Sequence, residues 1–412
     1  MIHRAKHVSG AATTSRREFL RAAAAAVAAP YVITSAALGA DGRPAASERV
    51  VMGGIGIGNQ GSGDLSSFAG DKQVQYVAVC DVVKGRREAA KAGVDSKYGD
   101  KACAAYSDYR ELLARPDIDA IHTACPDHWH ALVTVEACRQ GKDVYCQKPL
   151  SLTIRDGRAM VQAARRYGRV VSGGSQRVLD DTGGLARACW AGEYGVIKEV
   201  FVNVGGPSVP CNLSGEPVPD GVDWDMWLGP APWAPYHKHR ISGTYAINGT
   251  GWRSWRDYSG GGMTDWGAHR FGGAMWAVNM AEEGPAEVIP PDGKDVKYLT
   301  YVFANGLRMY HSPGRGGGVD VVGTKEKVQG KPMPGYRGAG GIYGDFVHCC
   351  RTRQRPFQDV ERAHRTASMC HLGNIAYLLN RPLKWDPVKE EFPDDEQANR
   401  FLDRAKRQPW TM

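Results

Sequence analysis

The chain has 412 residues, of which 42% are hydrophobic and 23% are charged, a composition typical of a folded protein and not of a disordered or membrane-embedded one. This length exceeds one typical core and favours two domains. Residues 1–46 carry six basic and two acidic side chains and so supply half of the formal net charge of +8. Because no basic run follows them, the composition argues against a nucleic-acid partner.

The first 46 residues look like a targeting segment. Arg16 and Arg17 lead into a weakly apolar stretch at residues 22–29, and small residues continue to Ala40. This pattern predicts an export signal, and the paired arginines resemble the twin-arginine type. We therefore expect a periplasmic or cell-envelope protein without stable membrane insertion after signal removal, since Pro30 and the short apolar run suit a spanning helix poorly. A surface amphipathic helix or an uncleaved anchor is the alternative.

Ten cysteines are scattered along the chain without a Cys-x-x-Cys pair. Exported proteins usually use cysteines in disulfides. Four of these cysteines, at positions 80, 103, 125 and 146, fall in or beside apolar runs, where a thiol behaves as a small hydrophobic group. A twin-arginine substrate folds in the reducing cytoplasm, often with its cofactor, so we expect mostly free thiols and leave one disulfide open.

Between residue 48 and about residue 175, short apolar runs alternate with stretches of helical spacing. The apolar runs cover residues 50–57, 74–80, 119–125, 142–146 and 169–172. The helical stretches cover residues 61–69, 83–98, 108–114, 128–140 and 155–168. Runs that are apolar throughout and alternate with helices predict a parallel sheet that is covered on both faces.

The pattern changes after residue 176. Residues 196–205, 297–303 and 307–311 predict strands, whereas residues 343–353 and 360–379 predict helices. The stretch from residue 207 to residue 262 is rich in Trp, Gly and Pro, and long segments without regular structure are commonly binding loops.

A glycine-rich segment follows the first apolar run. Gly56, Gly58 and Gly61 form a Gly-x-Gly-x-x-Gly pattern that opens a helix, and Asp81 lies at the tip of the next apolar run. Such glycines let the backbone approach a pyrophosphate, and the acid binds the adenosine ribose diol. Asp81 would repel a 2′-phosphate, which favours NAD over NADP, although arginines at positions 86 and 87 weaken this preference. A glycine-rich turn with a solvated aspartate is the alternative.

Three later motifs accompany the glycine pattern. They are Cys-Pro-Asp-His-Trp-His at 125–130, Gln-Lys-Pro at 147–149 and Asp-Trp-Gly-Ala-His at 265–269. Together they resemble the Gfo/Idh/MocA family of oxidoreductases, the relatives of glucose–fructose oxidoreductase and inositol dehydrogenase, and in particular its exported twin-arginine branch. The resemblance implies an α/β Rossmann-type nucleotide-binding domain followed by an α+β domain with a large, mostly antiparallel open sheet.

The resemblance also suggests how the chain is divided. We expect an export signal and linker at residues 1–46, an NAD(P)-binding Rossmann domain at residues 47–175 and an α+β substrate and oligomerisation domain at residues 176–412. The C-terminal segment is expected to pack back on the Rossmann domain. Because the open sheet of this family often mediates oligomers, the resemblance implies a homo-oligomer, either a dimer or a tetramer.

The motifs carry the family's site residues onto this chain. Lys148 matches the active-site lysine, whose bond to the following proline is commonly cis. Asp265 and His269 match the acid and the histidine that complete the polar cluster, and residues 126–130 match the loop beside the nicotinamide. Many relatives have glutamate where this chain has Gln147, and an amide lacks the negative charge beside the lysine. The full set of predicted cofactor-binding residues is Gly56, Gly58, Asn59, Gln60, Gly61, Asp81, Pro126, Asp127, His128, His130, Gln147 and Lys148.

The spacing of the last motif supports a catalytic cluster independently. Residues four apart share one face of a helix, which brings Asp265 and His269 together. Oxidation of a secondary alcohol requires removal of the hydroxyl proton as hydride leaves, and a neutral amine or imidazole assists that step. We expect Lys148 and His269 to share the proton and Asp265 to orient the cluster.

Candidate substrate contacts lie at a strand end and in the aromatic loop. They are His130, Gln176, Arg177, Trp252, Arg253 and Arg256. Tryptophan faces stack on sugars and arginines donate paired hydrogen bonds, although packing within the loop is the alternative for Trp252. His128 and His130 are only two residues apart and lack a further partner at ligand spacing, so no metal site is predicted.

Three functions are compatible with these residues. The leading one is an NAD-dependent oxidoreductase that acts on a secondary hydroxyl of a sugar or glycoside. The alternative is a glycoside hydrolase that uses NAD for transient oxidation and elimination, which export favours weakly because free NAD is scarce outside the cytoplasm. The third is a non-catalytic NAD-binding sensor, and the cost of burying three ionisable groups without chemistry argues against it.

Overall fold

The first of two sheets is built from six parallel strands in the computed structural model, which describes residues 44–243, 251–313, 318–324 and 326–412. These strands are β1 (Val50–Ile55), β2 (Val74–Cys80), β3 (Ala104–Tyr106), β4 (Ala120–Thr123), β5 (Asp143–Gln147) and β6 (Val171–Gly174). Their order across the sheet is β3-β2-β1-β4-β5-β6, and every neighbouring pair is parallel. This is the doubly wound order of a Rossmann-type sheet, so the predicted fold class is confirmed. Only β3, a half-buried strand of three residues, is missing from the prediction.

Five helices connect these strands. They are α1 (Asn59–Gly70), α2 (Lys84–Tyr98), α3 (Tyr109–Leu113), α4 (Asp127–Arg139) and α5 (Ile154–Arg166). Helix α5 shows why they form where they do. The Thr153 side chain caps its first turn by accepting a hydrogen bond from the Asp156 amide, Met160 and Val161 are buried, and two arginines occupy the last turn.

The second sheet is mixed and mostly antiparallel. Its strands are β7 (Ile197–Val202), β8 (Glu287–Ile289), β9 (Leu299–Val302), β10 (Arg308–His311), β11 (Val319–Gly323) and β12 (Leu383–Lys384). The order is β11-β7-β10-β9-β8-β12, and the β7–β10 pair is parallel. The predicted open, mostly antiparallel sheet is therefore confirmed, whereas the short strands β8, β11 and β12 are not predicted from the sequence.

Two long helices pack on one face of the second sheet. The helices of this part are α6 (Arg177–Asp180), α7 (Gly183–Trp190), α8 (Trp224–Leu228), α9 (Lys238–Ile241), α10 (Gly262–Asp265), α11 (Gly267–Ala277), α12 (Gly341–Thr352), α13 (Val360–Leu379) and α14 (Glu396–Asn399). Phe271 of α11 and Leu372 of α13 share a buried core with Val200, Tyr301 and Met309 of the strands. On the other face, the rings of Phe201 and Tyr310 stack with centroids 4.8 Å apart.

The aromatic stretch predicted to be irregular contains only short elements in its described part, namely α8, α9 and a 3-10 helix at Trp252–Ser254. Two further 3-10 helices lie at Ala46–Glu48 and Arg400–Leu402. At the C-terminus, the ring of Trp410 packs edge-on against Trp129 of α4 with centroids 4.9 Å apart.

The predicted twin-arginine signal lies in residues 1–46, and of these only residues 44–46 belong to the described part of the chain. Within that part, no helix is both long and apolar enough to cross a membrane. All ten cysteines are free thiols.

A buried ion network joins α5 to α13. The Arg158 guanidinium lies 2.8 Å from Glu361 and 2.7 Å from Glu390, and His364 Nε2 lies 2.7 Å from the same Glu390 carboxylate. Burial alone would raise the pKa of Glu390, but the hydrogen bonds from Arg158 and His364 outweigh it and lower the pKa from 4.5 to about 2. The network therefore depends on an ionised Glu390.

We predict that Glu390→Gln lowers the free energy of unfolding by about 3 kcal/mol near pH 7, since it removes one member of a buried ion pair. The folded pKa lies below the unfolded one, so the wild-type advantage is present above pH 4.5 and disappears as the pH falls towards 2. Urea denaturation across this pH range measures the difference. Glu391→Gln is the matched control, because Glu391 is half-exposed and 3.7 Å from Lys389; equal losses in the two variants would contradict the prediction.

Candidate active site

The glycine-rich loop between β1 and α1 leaves no room for a side chain at two positions. Gly56 has a φ of +80°, and a Cβ there would lie 2.7 Å from the Cys125 amide nitrogen. A Cβ at Gly61 would lie 2.0 Å from the Gly56 carbonyl oxygen. Gly58 has open space around it, with Arg86 at its edge. Gly56 and Gly61 therefore allow the loop to pack closely against neighbouring backbone. Gly58 leaves the backbone accessible to a ligand, as a phosphate-binding turn requires.

Asp81 holds this loop from the end of β2. Its Oδ2 accepts a hydrogen bond from the Ile57 amide at 2.7 Å, and its Oδ1 accepts one from the Val83 amide at 2.8 Å. Burial raises the pKa of Asp81, an effect that these amides and the nearby Arg86 and Arg87 oppose. Each carboxylate oxygen has a second lone pair, which leaves Asp81 able to accept from a ribose hydroxyl.

A cavity of about 260 Å³ opens beside the loop. Among the predicted cofactor residues, those lining it are Gly56, Gly58, Asn59, Gln60, Asp81 and Pro126. Its remaining walls include Trp129 of α4 and residues from the aromatic stretch, among them Trp227, Trp252 and Arg253. A bare glycine turn at one wall and aromatic surfaces at the others fit the phosphates and rings of a dinucleotide, so the residues present suit the predicted cofactor.

Lys148, directly after β5, forms an ion pair with Asp265 at the end of α10. Its Nζ lies 2.7 Å from Asp265 Oδ1, and Arg253 Nε lies 3.3 Å from the same oxygen. The Lys148–Pro149 peptide bond is cis. Both members of the pair are mostly buried, so their attraction offsets the cost of removing them from water. Arg253 also lines the cavity, which places the ion pair at its edge.

His269 lies in the first turn of α11, on the chain segment that follows Asp265. Its Nδ1 is 2.8 Å from the Ser175 hydroxyl. Burial, together with the positive charges of Lys148 and two arginines, lowers the pKa of His269 to about 3 against the opposing charge of Asp265. The imidazole is therefore neutral near pH 7. Ser175 supplies the hydrogen bond that orients the ring, a role that the sequence analysis gives to Asp265.

Asp127 adds a second carboxylate to this region, at the start of α4. Both of its oxygens are buried, and neither makes a well-formed hydrogen bond to a described residue. Burial and the negative charge of Asp265 raise the pKa of Asp127 to about 7, against the Ser259 hydroxyl and the positive charges of Arg253 and Lys148. Asp127 lies outside the cavity lining, and its contact with the cofactor stays a prediction.

Gln147 belongs to a buried network around Asp64 of α1. The Gln147 amide nitrogen lies 3.0 Å and 2.9 Å from the two Asp64 oxygens, and the Tyr343 hydroxyl and the Gln60 amide donate to Asp64 at 2.8 Å and 3.0 Å. Burial raises the pKa of Asp64, which these donors and Lys148 oppose. A glutamate at position 147 could not donate to this carboxylate. The amide is therefore explained by its partner, the Asp64 carboxyl group.

The two histidines of the 125–130 motif contact backbone carbonyls. His128 is buried, its Nε2 is 3.1 Å from the Trp227 carbonyl, and its ring packs against Trp227 and Tyr258. His130 lies between the Pro149 and Cys125 carbonyls, each 2.8 Å from a ring nitrogen. Neither histidine lines the cavity, and their contacts with cofactor and substrate stay predictions. The sequence pattern does not reveal these contacts, because the Trp227 and Pro149 carbonyls come from other segments.

Some of the remaining predicted site residues line the cavity, and others do not. Trp252 and Arg253 line the cavity, and the Arg253 guanidinium lies 4.3 Å from the centroid of the Trp252 ring. Gln176 donates to the Tyr343 hydroxyl at 3.1 Å. The Arg177 guanidinium lies over the Trp266 ring, 5.1 Å from its centroid. Gly61, His128, Gln147, Lys148 and Arg256 are not among the cavity-lining residues.

Sequence reasoning misses Ser175 and the partners of Gln147. Ser175 directly follows β6, at the carboxyl edge of the sheet where α/β proteins bind ligands, so its position was a usable signal. Asp64 is a charged residue inside a predicted helix, and only its complete burial marks it out. No group of three or more His, Cys, Asp or Glu side chains within the described ranges could hold a metal ion.

Comparison with known families agrees with this geometry. Residues 49–175 match the description "Oxidoreductase family, NAD-binding Rossmann fold", and residues 205–297 and 319–412 match "Oxidoreductase family, C-terminal alpha/beta domain". The chain belongs to the Gfo/Idh/MocA family of oxidoreductases. The first match covers the whole parallel sheet, and the second covers strands β8, β11 and β12 of the mixed sheet but not β7, β9 and β10.

Individual Gfo/Idh/MocA relatives match shorter parts. An inositol 2-dehydrogenase from Salmonella typhimurium is 36% identical over 130 residues, which are 31% of this chain and 37% of that protein. A glycosyl hydrolase family 109 protein from Shewanella baltica is 29% identical over 170 residues, 37% of each chain. The chain thus spans about a third of the length of these curated relatives. The solved WlbA dehydrogenase from Bordetella pertussis, in complex with NADH and UDP-GlcNAcA, shares the fold at 16% identity, with a TM-score of 0.57 over 82% of this chain and 99% of that one.

We predict that Gln147→Glu destabilises the protein by about 2 kcal/mol near pH 7, because two carboxylates would then face each other at about 3 Å and one must take up a proton. The introduced acid would have a raised pKa when folded, so the loss should grow as the pH rises above about 4.3. The double change Asp64→Asn with Gln147→Glu exchanges acid and amide and should recover most of the stability. Urea denaturation at pH 5 and pH 8 measures both; a double variant no better than the single one would contradict the network.

Proposed function

We propose that this chain is an NAD-dependent oxidoreductase that oxidises or reduces a secondary hydroxyl of a sugar or glycoside by hydride transfer. The observation that carries the proposal is Arg253, which lines the dinucleotide cavity and also binds the Asp265 partner of Lys148. Through this residue the cavity, the Lys148–Asp265 ion pair and the neighbouring His269 form one continuous site. The Gfo/Idh/MocA matches and the names of the relatives support a carbohydrate substrate.

Each member of the cluster has a distinct role in this proposal. The bound nicotinamide would accept the hydride from the carbinol carbon. Neutral His269 takes the hydroxyl proton as that hydride leaves, since it is the group of the cluster with a free lone pair. The Lys148 ammonium, held by Asp265, donates a hydrogen bond to the same oxygen and stabilises the negative charge that develops there. In the reverse reaction His269 returns the proton to the alkoxide.

NAD is the proposed cofactor, with NADP less favoured. The Asp81 carboxylate lines the cavity and would repel a 2′-phosphate, whereas Arg86 beside Gly58 acts in the opposite sense. Comparing the dissociation constants of NADH and NADPH tests the preference. Tighter binding of NADPH would contradict it.

A glycoside hydrolase with a retained NAD is the second candidate. Elimination and water addition need an additional group that exchanges protons near neutral pH, and Asp127, with a pKa of about 7, has that property. The walls contributed by the aromatic stretch would also retain a nucleotide within the cavity. This candidate predicts release of the aglycone without accumulation of NADH.

We also propose that residues 1–46 direct export through the twin-arginine route, to the periplasm or cell envelope. The support is Arg16 and Arg17 before a weakly apolar stretch. A folded fluorescent reporter fused to this segment should reach the periplasm, and retention of the fusion in the cytoplasm would contradict the proposal.

The outer face of the second sheet is the proposed surface for a homo-oligomer. Phe201, Tyr298 and Tyr310 form an aromatic cluster there, and the Tyr310 hydroxyl donates to Glu199 at 2.9 Å. A single aromatic cluster on an open sheet suits association of two copies. Sedimentation equilibrium should give a dimer or a tetramer, and a monomer at micromolar concentration would contradict it.

We predict that His269→Asn lowers kcat by about 10² to 10⁴, because it removes the group that accepts the hydroxyl proton, with little change in the affinity for NADH. The assay incubates purified protein with a panel of free sugars and nitrophenyl glycosides and follows NADH absorbance and nitrophenol release together. His348→Asn, at a half-exposed histidine of α12, is the matched control. A protein that binds no NADH and converts no member of the panel, or a fully active His269→Asn variant, would refute the proposal.

A further inference from the structure

Ser175 connects the end of the first sheet to helix α11, close to the Lys148–Asp265 ion pair. It directly follows β6, and its buried hydroxyl oxygen lies 2.9 Å from the Ala268 carbonyl and 2.8 Å from His269 Nδ1. Both partners belong to the first turn of α11. One hydroxyl therefore has two hydrogen-bond partners, but it carries only one proton.

The Ala268 carbonyl settles where that proton lies. A carbonyl oxygen can only accept, so the contact of 2.9 Å requires the Ser175 hydroxyl to donate to it. The lone pairs of the same hydroxyl then face His269 Nδ1, and a hydrogen bond of 2.8 Å forms only if Nδ1 carries a hydrogen. The imidazole is neutral because burial and neighbouring cations lower its pKa to about 3. A neutral ring has a single N–H, so Nε2 is left as a lone pair.

We propose that Ser175 is a positioning residue that holds neutral His269 in the tautomer with its hydrogen on Nδ1, so that Nε2 presents a lone pair to the substrate hydroxyl. Without that hydroxyl, the ring could place its hydrogen on Nε2. It would then offer an N–H to the substrate and could not accept the proton. The inference rests on the proposed function for its catalytic consequence, whereas the tautomer itself is a property of the resting protein.

The position of Ser175 is itself fixed by its neighbours. A Cβ at Gly174 would lie 3.0 Å from Gln147 Cα, so β6 approaches β5 closely just before the serine. On its other side, Gln176 donates to Tyr343 at 3.1 Å and its carbonyl accepts from Tyr336 at 3.3 Å. Contacts at Gly174 and at Gln176 therefore hold the backbone on both sides of Ser175. They fix the position of its hydroxyl, as the selection of one tautomer requires.

The charged groups around the ring act on its pKa. Lys148 and Arg270 can only donate hydrogen bonds, and Asp265 accepts at Oδ1 from Lys148 and Arg253. Arg270 donates to the Asn203 carbonyl. These groups determine whether His269 is charged, because they act on its pKa. Ser175 determines which nitrogen carries the hydrogen.

The test is nitrogen NMR of protein labelled with nitrogen-15 histidine, with the His269 signals identified by their loss in His269→Asn. Wild-type protein should show the Nδ1–H tautomer, and Ser175→Thr, which keeps the hydroxyl, should retain it. Ser175→Ala should shift the ring towards the Nε2–H form. Ser172→Ala, at a buried serine of the same strand, should leave the spectrum unchanged.

Kinetics on the same variants complete the test. Ser175→Ala should lower kcat by about 10- to 100-fold, a part of what a general base contributes, with the KM for NAD unchanged and with recovery in Ser175→Thr. An Nε2–H tautomer in the wild type, or an unaltered tautomer in Ser175→Ala, would overturn the inference whether or not activity is found. If the tautomer responds as expected but no sugar is converted, the positioning stands and the proposed function fails.

Discussion

A buried ion pair between Lys148 and Asp265 sets the geometry of the whole site. Lys148 follows the fifth strand of the parallel sheet, Asp265 ends a short helix on the way to the second sheet, and their charged atoms are 2.7 Å apart. Either charge alone would be costly to bury, whereas together they offset much of that cost. The packing of the two parts of the chain brings these residues into contact. Around this ion pair lie the glycine-rich loop, Arg253 and His269.

The charged groups around the ion pair give His269 and Lys148 different protonation states, which one residue could not combine. Burial and neighbouring cations keep His269 neutral, which suits it to accept a proton, while Asp265 keeps Lys148 paired. Asp64 adds a buried negative charge behind Gln147, so the site has a carboxylate near the lysine although position 147 is an amide. The amide at position 147, where many relatives have glutamate, is thus balanced by Asp64 of helix α1.

The fold could be predicted to a large extent because its signals are local. Apolar runs that alternate with helices are sufficient to predict the parallel sheet, and a single glycine pattern followed by Asp81 locates the dinucleotide loop. The strands that escape prediction have two to five residues, too few to show a period. Lys148, Asp265 and His269 were predicted from motifs, and the structure brings them together.

The partners within the site could not be predicted, because they are distant in the sequence. Ser175 and His269 are 94 residues apart, and Asp64 and Gln147 are 83 apart. His128 and His130 belong to the same motif as the cofactor loop, but tertiary contacts direct both rings to backbone carbonyls. A motif thus specifies which residue types are present, whereas the packing between segments decides which atoms face the cavity.

The central claim is that hydride leaves a sugar carbon beside the Lys148–Asp265 pair and His269, and isotope transfer tests it most directly. Protein loaded with NAD would be incubated with monosaccharides and glycosides that are deuterated at their ring carbons. The protein would then be denatured, and the mass of the released nucleotide would be measured by mass spectrometry. The proposed dehydrogenase predicts a reduced nucleotide that has gained deuterium with the wild type and not with His269→Asn. A nucleotide that binds the wild type but stays unlabelled with every sugar class would contradict it.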